Sequence, residues 1–189
     1  MSVVQEALAS SRLDGETRVL ELALPTMALS LWAPWAWAIL YACKDIENRS
    51  RRPEGKPGGW GFPRHFVGEF WLHCSLWPAR GRKPLGERGF EELADEFASV
   101  RDIYQKVGIK RDDLPSTTLR TLDAMRGHIV GRVTVTGYVE QSESPWFVPG
   151  SLGLVLADPF QLVTPVAASG ALGWWRVPDD KLALLKGAA

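Results

Sequence analysis

A lysine, a glutamate and an arginine fall within six positions, Lys44, Glu47 and Arg49 of Lys44-Asp45-Ile46-Glu47-Asn48-Arg49. Lysine offers a point charge with three donors, arginine a planar fork of donors, and a carboxylate accepts hydrogen bonds or a proton. Trp32, Pro34 and Trp35 stand just upstream and add flat apolar surface. Cations, an acceptor and aromatic faces suit a phosphate and a nucleobase better than a lipid or a metal. Glu47 and Arg49 are two apart, so on an extended chain they share a face. Lys44 can fold back towards them from a preceding helix end. Two uses of the trio follow. Lys44 and Arg49 hold a phosphate or carbonyl oxygen while Glu47 accepts from a base edge or takes a proton. Or Glu47 and Arg49 close a salt bridge inside the fold and Lys44 is solvated.

Trp32, Trp35, Trp60 and Trp146 are candidate stacking platforms, and a stacked base is worth roughly 1–3 kcal/mol. Trp60 sits among Gly58, Gly59 and Gly61, and Trp146 in Ser144-Pro145-Trp146-Phe147; both stretches read as loops. Plain burial is the competing use of any tryptophan, and Trp146 and Trp32 are preferred for a cleft. Arg51 and Arg52 extend the cationic run. From Arg49 to Lys83 there are eight Lys/Arg against two acids, although the formal net charge of the chain is zero. Bulk charge therefore does not attract a polyanion, while a local groove can; a solvated arginine-rich loop accounts for the same residues. His73 is a further site candidate, ahead of His65 and His128. Three scattered histidines and two distant cysteines, Cys43 and Cys74, give no metal-ligand spacing, so no metal or cofactor is expected. Both thiols read as reduced, in a cytoplasmic protein. The N-terminal residues lack the basic start and apolar run of a leader, and no stretch approaches the roughly 18 apolar residues of a membrane span.

The elements that must position these residues are short. Met27 to Leu31 reads as a strand. Pro34 opens a helix whose apolar face includes Trp35, Ile39 and Leu40 and which ends near Cys43. Ile46 to Ser50 reads as extended, Arg51 to Pro63 as a Pro- and Gly-rich loop, and Val67 to Cys74 as a strand. Phe90, Leu93, Phe97, Val100, Tyr104 and Val107 recur at helical spacing with a charged opposite face, and Gly108 stops the run. Gly127 to Val139 alternates: Ile129, Val133, Val135 and Val139 face one way, Arg132, Thr134 and Thr136 the other. Leu152 to Leu156 and Leu172 to Val177 read as two more strands, separated by a Pro-containing loop. Several short strands with few helices predict an α+β protein built on a small, mixed, partly closed β-barrel with peripheral helices.

Three blocks in order resemble the ASCH (activating-signal-cointegrator homology) domain: Leu29-Ser30-Leu31-Trp32-Ala33-Pro34-Trp35-Ala36, then Cys43-Lys44-Asp45-Ile46-Glu47-Asn48-Arg49, then Gly68-Glu69-Phe70-Trp71-Leu72-His73-Cys74. The middle block matches the signature Gly-x-Lys-x-x-Glu-x-Arg, with Ala42 in place of the glycine. The strand leading to His73 begins His65-Phe66-Val67-Gly68, with Arg64 nearby, where the family has Arg-Gly. Gly131-Arg132-Val133, Ser144-Pro145-Trp146-Phe147, Gly153 to Pro159 and Gly173 to Pro178 are similar to the closing strands. The likeness spans residues 27–178, with a helical insertion at about 80–126, preceded by an extension (1–26) and followed by a tail (179–189).

The resemblance implies a PUA-like barrel, a superfold used to bind RNA, with Lys44, Glu47 and Arg49 in a cleft beside it. The expected function is recognition of single-stranded RNA or a nucleobase there, with Trp32, Trp60, Trp146, Ser144, His73, Arg51 and Arg52 as further contacts. The alternative is a small enzyme in which Lys44 and Glu47 are catalytic, cleaving RNA or hydrolysing an amide such as that of N4-acetylcytidine. The resemblance sets the second chemistry back, because small members of that kind have Thr where this chain has Glu47. A third reading is a protein–protein module using the helix from Phe90 to Val107 or exposed tryptophans.

Overall fold

The computed structural model describes residues 24–49, 66–78 and 85–188. The protein is α+β: a six-stranded sheet curled into a half-barrel and, among the described residues, four α-helices. The chain order is β1 (Met27–Leu31), α1 (Ala33–Tyr41), β2 (Ile46–Arg49), β3 (Gly68–Cys74), α2 (Glu87–Lys106), a 3-10 turn (Arg111–Asp113), α3 (Leu119–Met125), β4 (His128–Val139), β5 (Leu152–Ala167), β6 (Trp174–Arg176) and α4 (Asp179–Ala188). Across the sheet the strands run β2-β5-β4-β3-β1-β6. The β1–β3 pair is parallel and the other pairs are antiparallel. A parallel pair needs a crossover; here the intervening chain includes α1 and then β2, which is sent to the far edge. The charged trio therefore lies at a sheet margin.

Helix α1 is buried nearly all round, through Ala33, Pro34, Ala36, Trp37, Ala38 and Ile39. Such a helix belongs in a core, and its alanines let the backbone come close to the sheet. Around it gathers the main cluster, with Leu29, Phe70, Leu72, Val133 and Leu154 from the sheet and Leu93 and Val100 from α2. A second cluster on the other face joins Trp71, Ile129, Leu162, Val166, Trp175 and Leu185. Leu185 belongs to α4, so the residues read as a tail form a helix that covers part of this face.

Two readings of the strands need correction. Ile129 and Val133 do not share a face, for Ile129 lies in the second cluster and Val133 in the first. The cause is a bulge: Leu72 pairs with Gly131 but His73 with Ile129, leaving Val130 as the extra residue. One extra residue flips the alternation beyond it. The Pro-containing loop expected after Leu156 is also strand, since β5 continues to Ala167. Ala157 and Phe160 oppose Thr134 and Arg132, so the irregularity takes in Asp158, at φ 53°, and Pro159. Strand β2 pairs with β5 only at Leu152 to Val155. Among the described residues the rest of β5 pairs with β4 alone, and an outer margin is where proline is tolerated in a strand.

Candidate functional site

The site is assembled by the end of α1. Ala42, which stands where a glycine was expected, keeps φ at −113°, and the left-handed turn falls one residue later, on Cys43 at φ 53°. The Lys44 N–H then reaches back to the Ala38 carbonyl at 3.1 Å. This fold-back turns the Lys44 side chain inward. Its ammonium donates to the Ile46 carbonyl and, at 2.9 Å, to Glu47 Oε2. It also lies 5.7 Å from the centre of the Trp35 ring, within cation–π range. Trp35 in turn donates from Nε1 to Glu96 on α2.

Glu47 faces Arg49 as a two-residue spacing on a strand requires. Arg49 Nη2 lies 3.3 Å from Glu47 Oε1. The result is a chain of charges, Lys44–Glu47–Arg49. Lys44 is only 3% exposed and Glu47 8%. Both uses foreseen for the trio need amendment. The Glu47–Arg49 pair exists, but Lys44 is buried rather than solvated. Its ammonium is engaged by Glu47 and a carbonyl. Arg49 differs. Its side chain is 26% exposed, and among the described residues neither Nε nor Nη2 has a hydrogen-bond acceptor although both atoms are shielded from solvent. The 3.3 Å approach to Glu47 is an ion pair out of line for a hydrogen bond. A shielded donor without an acceptor costs about 1–3 kcal/mol, so the guanidinium carries unspent donor capacity.

The loop carrying Ser144 and Trp146 is stapled to this site. Ser144 Oγ donates to Asp45 Oδ1 at 2.5 Å and accepts from the Trp146 N–H at 3.2 Å. Asn48 holds the same loop with both ends of its amide: Nδ2 donates to the Trp146 carbonyl at 2.7 Å, and Oδ1 accepts from Val148 N–H and Ser151 Oγ, each at 2.9 Å. Asp45 and Asn48 were not singled out in the sequence. The available signal was the alternation of Asn48 with Glu47 and Arg49, which turns it towards a different neighbour; Asp45 precedes β2 and shares the parity of Glu47, so spacing does not single it out. Trp146 is not an open platform. It is 3% exposed and meets the Trp35 ring edge-on, with centroids 6.5 Å apart. Trp32 is 40% exposed and stacks on Trp77.

His73 is buried on the face of the second cluster, away from the trio. Its ring is hydrogen-bonded to Ser30 Oγ at 2.9 Å, stands edge-on to Trp175 and packs against Gly170. The expectation that it faces the cleft is therefore corrected: neighbouring strand residues point to opposite sides, and His73 goes with Trp71. Arg51, Arg52, Trp60 and His65 lie outside the described residues. Among the described residues no three His, Cys, Asp or Glu side chains are grouped to hold a metal ion, and no helix is long and apolar enough to cross a membrane. A separate cavity of about 230 Å³ opens between α1, α3 and β5, lined by Trp37, Tyr41, Met125, Gln161 and Pro165 among others, and does not include the trio.

Fold and site together define an α+β half-barrel protein with a buried charge chain at one margin of its sheet. No protein-family model and no curated protein matches the chain.

Proposed function

We propose that this chain is a PUA-like, ASCH-type module that binds single-stranded RNA along the β2 margin. One observation carries the reading: Arg49, on edge strand β2, has a 26% exposed side chain, while its Nε and Nη2, shielded from water, have no acceptor among the described residues. A small reorientation of the exposed side chain would give a phosphate oxygen these donors, which water does not reach. Lys44 and Glu47 act behind it. The buried ammonium fixes the carboxylate, and the carboxylate fixes the direction of the guanidinium. The sequence immediately after Arg49 supplies Arg51 and Arg52 for neighbouring phosphates. Support also comes from the curled half-barrel and from the three ordered blocks of residues that resemble the family.

Titration of a labelled mixed-sequence oligoribonucleotide at 50 to 200 mM salt tests the reading. Affinity should fall steeply with salt, as counterion release requires. Arg49→Gln should weaken binding and make the log–log salt slope shallower by about 0.7, the contribution of one single-strand phosphate contact. Binding that ignores salt, or that survives Arg49→Gln unchanged, refutes the proposal. The RNA should be recovered at full length; shortened products would favour the enzymatic alternative.

A further inference from the structure

The ring pair Trp32–Trp77 differs from the rest of the aromatic packing. Its centroids are 4.1 Å apart and its planes 13° from parallel. The other ring pairs within the described residues are tilted or edge-on, at 43° to 90°. Those arrangements interlock rings in a core. A parallel pair leaves flat outer faces. Trp77 covers one face of Trp32, so the 40% of Trp32 that remains in water lies on the opposite face and the edges.

This plate is held from both sides. Trp32 is the N-cap of α1, and its carbonyl accepts from the N–H groups of Trp35 and Ala36 at 3.0 and 3.1 Å. Two residues before Trp77, the Ser75 N–H donates to the Leu31 carbonyl at 2.7 Å, tying the segment before Trp77 to the segment before Trp32. Little ordering is left to occur on binding. A flat partner such as an unpaired base fits this plate. Helix α1 has nine residues and is about 13 Å long, with Trp32 at its start and Lys44 just beyond its end.

We infer that Trp32, backed by Trp77, stacks an unpaired base of the bound RNA. The inference rests on the RNA-binding reading and adds a second, uncharged contact to it. Trp32→Leu should lower affinity for the oligoribonucleotide by about 5- to 150-fold, and Trp32→Phe by less. The salt slope of Trp32→Leu should equal that of the unaltered protein, because stacking releases no counterions. A measurement on the unaltered protein guards against misfolding of the variant: an abasic oligonucleotide of equal length should bind more weakly by a similar factor. Equal affinity for abasic and intact strands overturns the platform and leaves the Arg49 reading standing. Undiminished binding by Trp32→Leu does the same. Absence of RNA binding by the unaltered protein overturns both.

Discussion

Lys44 sets how the charged trio works, and its burial has a measurable consequence. Its side chain is 1% exposed and that of Glu47 10%. Removing one partner of such a pair strands the other's charge, at a typical cost of 3–5 kcal/mol, whereas replacing both by apolar groups is often far less harmful. Lys44→Met should therefore lower the melting temperature substantially, and Lys44→Met with Glu47→Leu should recover part of the loss. A thermal melt of the two variants decides it. A single variant as stable as the original protein would show that the pair does not hold the α1 end. The closeness of Glu47 and Arg49 was legible in the sequence, because a strand has period two. The burial of Lys44 was not. It depends on a left-handed Cys43 and on the Trp35 ring, and neither spacing nor residue type fixes those. Trp146 was misjudged for a related reason: a Pro-Trp loop reads as exposed until Asp45 and Asn48 are seen to pull it down.

At the scale of elements, the close approach of β4 and β5 beneath α1 rests on Gly131. A Cβ built there would collide with the Phe160 carbonyl and come within 2.8 Å of Leu40 Cδ2. One obstacle is backbone and cannot swing away, so Gly131→Ala should cost about 1–3 kcal/mol, the usual range for overpacking. For a chain this long each kcal/mol lowers the melting temperature by about 2–4 °C. Gly137, on the same strand, is the control, because a Cβ there meets nothing within 4 Å. Gly137→Ala should leave the melt nearly unchanged or slightly raised. Equal melts for the two variants would refute the close packing. Local pattern served well for these elements where it was strong. The strand Met27–Leu31, the helix around Phe90 to Val107 and the strand from His128 were all readable from periodicity. What escaped was set by pairing. The bulge at Val130 appears only when β4 is laid against β3, and the length of β5 only when its pairing with β4 is followed to Ala167.

The whole molecule is a sheet with a cluster on each face, and β3 separates them. Cys74, at the end of β3, is fully buried, while Cys43 is exposed. Burial in apolar surroundings pushes the Cys74 thiol well above its ordinary range, because the thiolate cannot be hydrated there. Burial raises Tyr41 and Tyr138 in the same direction. In the unfolded chain Cys74 loses its proton near pH 8.5, whereas in the folded chain it keeps it. The unfolded state then binds fewer protons, so stability must fall as pH rises. The Cys74 contribution is complete below about pH 8 and declines above it, by up to about 1.4 kcal/mol per pH unit; the tyrosines add to the decline nearer pH 10. Melting temperatures measured from pH 7 to 9.5 should decrease across the upper part of that range. Cys74→Ala should start lower, because it leaves a small void, but decline less steeply. Thiol titration gives an independent reading. One cysteine, Cys43, should react with a disulfide reagent in the native protein and two in denaturant, so that the second reaction reports global opening of the sheet. A pH profile equally steep in Cys74→Ala, or a Cys74 that reacts as fast as Cys43 in the native state, would refute the placement of β3 between the two clusters.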